Sequence, residues 1–333
     1  MRLSSNGFRR ALAAHGQVSR RTVLASAVGA LVTASAVKAR AQAPRVLHVD
    51  SYHQGNEWND RIAAECRRII EGAGGQWRIF HLDAKRRPAP EQIEEAARRA
   101  TEIVAEWKPD VLTTSDDPAA EYLIMRYYRD ADLPVVFCGV NWDASVYGLP
   151  YTNTAGMVEV SAIPQIISLM RPLAKGDRLG LITEETPTKR KEMKEHIRLF
   201  DLHYDRTWFV SDFEAWTEGF LEAQEQVDML LLLGVGAVTD WDDRAARRLA
   251  QTRTAIPTGT DFPWLMPYAL LGVGKRPEEQ GRFAAETALA IAAGTDPRDI
   301  PIAYNTEGDL LFNPLIARHL GVAKIPPLAT LVD

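Results

Sequence analysis

From residue 45 to the C-terminus, short apolar runs alternate with stretches whose apolar residues recur at helical spacing, which restricts the chain to an α/β fold built on parallel sheets. Residues 46–50 read as a strand. Ile62, Ala63, Cys66, Ile69 and Ile70 follow at i, i+1, i+4, i+7 and i+8, the stripe of an amphipathic helix that stops at Gly72-Ala73-Gly74-Gly75. Strands are expected over 77–82, 111–114 and 134–140, with helices over 90–107 and 118–129. Beyond a loop rich in Gly, Pro and Asn at 147–154, strand-like 156–160 leads into a second set: helices at 163–173, 188–203, 212–226 and 240–251, and strands at 178–183, 206–210, 228–233 and 255–260. Strand 268–273, helix 277–293, strand 300–304 and a short tail complete the chain. Helix 277–293 is one element more than the second set needs, so it is free to pack back on the first. The expectation is two doubly wound lobes, 45–155 plus 274–299 and 156–273 plus 300–333, joined by three crossovers near 156–160, 272–274 and 300–304.

Residues 1–41 read as a signal peptide. Five arginines up to Arg21 precede the apolar run 22–37, which is too short to span a bilayer, and Ala39-Arg40-Ala41 supplies a small-x-small cleavage pattern. Ser19-Arg20-Arg21-Thr22-Val23-Leu24 resembles the twin-arginine export motif. No cysteine follows the cleavage site to carry a lipid anchor, so the mature chain is expected to be soluble in the periplasm without inserting into the membrane. The signal carries seven of the 39 basic residues and none of the 44 acidic ones, leaving 32 against 44 and a mature net charge near −12. Such acidity argues against nucleic acid or an anionic membrane as partner. Cys66 and Cys138 read as buried free thiols.

Ligand sites in parallel sheets lie at the carboxyl ends of the strands, and polar and aromatic residues gather at those ends here. Ser51, Tyr52, His53 and Trp58 follow the first strand. Ser115 and Asp116 follow the third, where Asp117 before Pro118 reads as a helix N-cap and leaves Asp116 for an ammonium or hydroxyl group. Asn141 and Trp142 follow the fourth. In the second set, Glu184, Glu185, Gly234 and Asp261 hold the corresponding places, Asp261 being followed by Phe262-Pro263-Trp264. Gly234-Val235-Gly236 lacks the third glycine of a dinucleotide fingerprint, and no nucleophile elbow, zinc-protease motif or phosphate loop occurs. His48 with Asp50 and His81 with Asp83 lack further ligands at metal-binding spacing. The chain is therefore expected to be no enzyme and to hold no cofactor and no metal, and Ser211 to Glu214 to be a helix capping box.

Asp50-Ser51-Tyr52-His53-Gln54-Gly55 with Trp58, the acidic turn 115–120, the run 134–141 and the terminal pattern of 281–294, Ile300-Pro301-Ile302, Asn313 and Leu320-Gly321-Val322 together resemble the ABC-transporter substrate-binding proteins of the tryptophan/tyrosine-binding type. The likeness runs from Arg45 to the C-terminus. It implies a type I periplasmic binding fold, a small amino acid-like or aromatic ligand in the interlobe cleft, and an ABC permease as partner. The acidic turn departs from the uncharged Ala-Thr-Pro-Ala-Ala-like turn of transporter members, and with the Ser-Tyr-His-x-Gly-x-x-Trp opening it is similar to related periplasmic sensing modules. A stand-alone sensor for a membrane signalling protein is therefore the alternative reading, and an exported hydrolase or metal enzyme the contrasting one.

Overall fold

The computed structural model describes residues 43–332. The export signal expected over 1–41 lies outside them. The chain begins with β1 (Arg45–Asp50), α1 (Glu57–Gly72), β2 (Gln76–His81), α2 (Pro90–Trp107), β3 (Val111–Ser115), α3 (Asp116–Ala119, continued as a π-helix over Ala120–Tyr128), β4 (Val135–Asn141) and β5 (Thr154–Glu159). Side chains of β1 alternate between two cores. Leu47 and Val49 join Ala96, Ala97 and Ala100 of α2 and Leu123 and Ile124 of the π-helix, while Val46 joins Ile62, Cys66 and Ile70 of α1 on the opposite face. Burial on both faces is what a central parallel strand requires.

The second lobe comprises α4 (Ile163–Met170), β6 (Leu179–Glu184), α5 (Pro187–Phe200), β7 (Arg206–Val210), α6 (Phe213–Gln226), β8 (Met229–Leu232), α7 (Asp243–Arg253), β9 (Thr258–Thr260) and β10 (Leu271–Lys275). The chain then returns through α8 (Pro277–Ala292) and β11 (Ala303–Tyr304), and ends in β12 (Gly308–Phe312), α9 (Pro314–His319) and β13 (Thr330–Leu331). The first sheet has the order β11-β5-β4-β3-β1-β2, all parallel; the second is β13-β12-β10-β9-β8-β6-β7, parallel except where β12 runs against β10. The fold is two doubly wound lobes joined by three crossovers. Helix α8 does return to the first lobe, where Ala284, Ala285 and Ala288 complete the core over α1.

Strand pairing carries the first sheet past the boundary expected at residue 155. β5 stays in it through Glu159 and β11 pairs alongside, so the chain changes lobes just after β5, between β10 and α8, and between β11 and β12. Side chains tie these passages together. The Asn305 side chain accepts from Val160 N at 2.7 Å and donates to its carbonyl at 3.0 Å, and the Glu279 carboxylate accepts from the Thr306 and Glu307 N–H groups, both at 2.8 Å.

Two local expectations are corrected. Asp117 is not an N-cap: the helix begins two residues earlier than expected, at Asp116 after Ser115, and the Asp117 carboxylate instead accepts from Asn141 Nδ2 (2.6 Å) and the Tyr147 hydroxyl (2.9 Å). The α6 cap is Asp212, whose side chain accepts from Ala215 N at 2.9 Å, rather than Ser211, since the helix starts at Phe213. Cys66 and Cys138 are buried and free.

Candidate functional site

Strand ends from both lobes converge on a cleft with a cavity of about 680 Å³. Tyr52, Trp58, Asp116, Asn141 and Glu159 line it from the first lobe; Asp261, Phe262, Trp264 and Lys275 line it from the second. A volume of this size suits a small organic molecule.

Asp116 is the best-defined group. It takes a left-handed backbone (φ 66°) at the end of β3, and Gly139 of the adjacent strand leaves it room: a Cβ there would lie 3.3 Å from the Asp116 nitrogen, on a backbone that is itself left-handed. Asn59, buried on the first turn of α1, donates through Nδ2 to Asp116 Oδ2 and to Asp50 Oδ1, both at 2.6 Å. Burial, and after it the charge of Glu159, hold the Asp116 carboxyl well above the usual carboxylate range, while the bond from Asn59 pulls the other way. Asp50 behaves differently. Burial pushes it up, but His81 at 3.6 Å, the charge of His48 and the Tyr52 N–H at 2.8 Å outweigh burial and leave it below its ordinary value.

Glu159, at the end of β5, accepts from Lys275 Nζ at 2.5 Å, so one ion pair joins the ends of the two sheets. Burial acts to lower the Lys275 pKa, yet Glu159 and Asp261 raise it overall. Lys275 Nζ also lies 5.6 Å from the Trp58 ring centre, and Lys85 Nζ 3.9 Å from that of Tyr52. The Phe262 and Trp264 rings meet at a tilt of 32°, with ring centres 4.6 Å apart.

Of the residues singled out from the sequence, the cleft brings together Tyr52, Trp58, Asp116, Asn141 and Asp261. The others have different places. Ser51 is buried, donating to the Ser115 carbonyl at 2.5 Å and accepting from Ala119 N, which fixes the start of α3. Ser115 lies beneath the cleft beside Asn59. His53 faces Asp83 at 3.7 Å. Trp142 is buried against His196 of α5, ring centres 4.9 Å apart, and so makes a contact between lobes. Glu184 accepts from Ala237 N at 2.7 Å, closing the loop that contains Gly234, whose left-handed backbone passes close to Lys189. Glu185 pairs with Arg190 at the surface. Glu159 and Lys275 carry no local signal, because in sequence a single charge ending an apolar strand looks like a solvated strand end; Asn59 sits on a helix face that looks apolar.

Among the described residues no group of three or more His, Cys, Asp or Glu is placed to hold a metal ion, and no helix is long and apolar enough to cross a membrane. His48 instead places Nδ1 3.0 Å from the Thr113 hydroxyl, and burial holds its pKa down at about 4.

Two parallel-sheet lobes facing across a cleft and linked by three crossovers define the type I periplasmic binding architecture. No family model and no curated protein sequence matches the chain. Among solved structures it is similar to the ligand-free, open form of a substrate-binding protein with adhesive properties from Clostridium difficile (TM-score 0.66, 17% identity, 87% of this chain and 99% of that one). It is also similar to an ABC domain in complex with L-Trp from Streptococcus pneumonia (0.50, 14%, 86% and 100%) and to a LacI transcriptional regulator from Lactobacillus brevis (0.50, 12%, 80% and 99%). At these identities the likeness establishes the fold, which substrate-binding proteins and regulators share.

Proposed function

We propose that this protein is an exported solute-binding protein that captures a small organic molecule between its lobes and delivers it to an ABC permease in the inner membrane. The single observation that carries this reading is the interlobe cavity, in which carboxylates and aromatic rings of both lobes meet. Such a cleft is wet when open, and contacts that bridge the lobes form only on closure, so ligand shifts the equilibrium by their differential energy. The tied crossovers suit a hinge, and the moving bodies divide at 160–162, 275–277 and 305–307. Tyr52, Trp58, Asp116, Asn141 and Asp261 contact ligand directly in this reading, and the chain carries out no turnover. The fold it shares with substrate-binding proteins, the signal-like residues 1–41 and the acidic mature chain all favour this role.

Native mass spectrometry of the purified protein tests the reading. One small molecule per chain, released unchanged on denaturation and rebound with a measurable Kd, is the expected result. Chemical conversion of the released molecule by the refolded protein would sink it.

A further inference from the structure

Resting on the binding-protein reading, the charges that face the cleft narrow the ligand to one chemical class. Asp261 is 3% exposed, and its Oδ1 is buried without a hydrogen-bond partner among the described residues. It follows β9 directly into the cavity wall. A buried carboxylate oxygen left unpaired costs free energy unless something arrives to meet it. Asp116, facing the cavity from the other lobe, is 5% exposed and spends Oδ2 on Asn59.

Three of the cationic and donor groups that a ligand carboxylate could use are already engaged. Lys275 is bound by Glu159, and Arg61 by Glu278 at 2.7 Å. Asn141 gives its amide to Asp117. The N-terminus of α1 borders the cavity, but its first turn carries Glu57 and Asp60, which oppose an anion there. Lys85 is exposed and lies over the Tyr52 ring. For the body of the ligand the cleft offers flat apolar faces: Trp58 on one side, Phe262 and Trp264 on the other. Trp264 is 66% exposed at the cavity, far more than a tryptophan with purely structural duties.

We propose that the cleft selects an organic cation, an amine with a flat apolar body and no carboxylate of its own, whose charge is held between Asp116 and Asp261 while its body lies between Trp58 and the Phe262–Trp264 pair. The amine brings the hydrogen-bond donor that Asp261 Oδ1 lacks, and the absence of a carboxylate matches the engagement of Lys275, Arg61 and Asn141.

Three probes that share one ring system test this by titration calorimetry: tryptamine as cation, L-tryptophan as zwitterion and indole-3-acetate as anion. Tryptamine is expected to bind at least tenfold more tightly than L-tryptophan, with indole-3-acetate weakest. Asp261→Asn and, separately, Asp116→Asn are expected to weaken tryptamine binding at least tenfold, the pair guarding against one variant failing to fold. L-Tryptophan binding as tightly as tryptamine, or both variants retaining full tryptamine affinity, would overturn the assignment and leave the binding-protein reading standing. Binding of none of the three overturns it as well; mass spectrometry of molecules released from the denatured protein then decides separately whether the binding reading falls too.

Discussion

In the proposed binding role, Asp116 sets local stability against ligand affinity. Folding raises its pKa, so the native state holds this proton more tightly than the unfolded chain does. Its contribution is therefore most favourable in acid and is lost as pH rises above the unfolded value of about 3.9 towards the raised native one. Asp116→Asn removes that loss and keeps an oxygen to accept from Asn59. The ligand-free variant is expected to melt above the wild type at pH 7 to 8, with the difference vanishing near pH 3 to 4. The same change should weaken binding of an ammonium ligand by about 1.4–3 kcal/mol, roughly ten- to 150-fold. Thermal melts across pH together with calorimetry check both signs, and a variant less stable at pH 8 would contradict the argument. Two histidines oppose this trend. Burial lowers His48 and His196 to about 4 each, in His48 against the charge of Asp50. Their contribution is complete above the unfolded pKa of about 6.5 and falls as pH drops towards 4, by on the order of 3 kcal/mol each. NMR should find both rings neutral at pH 5.5; a ring titrating near 6.5 would remove it from this account.

At the scale of elements, what could be read from the sequence depended on how local the cause was. Helix α2 matches its expected span because Pro90 at its start, an alanine-rich stripe inside and the left-handed Lys108 after Trp107 are all local signals. The start of α3 does not, because Asp117 is recruited by Asn141 and Tyr147, 24 and 30 residues away. In the same way, five of the twelve residues singled out for the site line the cavity: strand ends reveal which residues reach the crevice, whereas partners such as Glu159 and Lys275, 116 positions apart, meet only through the fold. Helix α8 illustrates a further case. Its return to α1 follows from the count of elements, but the closeness of the contact comes from Gly281, where a Cβ would lie 2.3 Å from the Ile62 carbonyl oxygen. In an isolated helix Gly→Ala stabilises by about 1 kcal/mol. Gly281→Ala should instead destabilise by about 1–3 kcal/mol, because rigid backbone must move apart. Chemical denaturation checks the sign, and a higher midpoint for the variant would show that the helices yield without cost.

For the molecule as a whole, location and motion are the two claims that matter. If residues 19–24 direct twin-arginine export, Arg20→Lys with Arg21→Lys should retain the protein in the cytoplasm, and cell fractionation gives the answer; unchanged export would point to the general secretory route. Motion depends on contacts outside the cavity. Trp142 does not line the cleft, yet its ring meets His196 across the lobes, and Leu199 and Phe200 of α5 pack with it against the first lobe's core. A residue that joins the lobes without touching ligand changes affinity only through the fraction of molecules in the binding-competent form. Losing an aromatic contact worth about 0.5–1.5 kcal/mol should therefore weaken binding roughly two- to tenfold in Trp142→Ala. The ligand-free variant should also show a larger radius of gyration by small-angle scattering, and saturating ligand should bring it back to the wild-type bound value, because the variant leaves untouched the closing contacts proposed at Asp116 and Asp261. Weakened affinity with no change in the ligand-free radius would mean that Trp142 acts on the cleft wall itself, through β4 and Asn141, rather than on the balance between open and closed lobes.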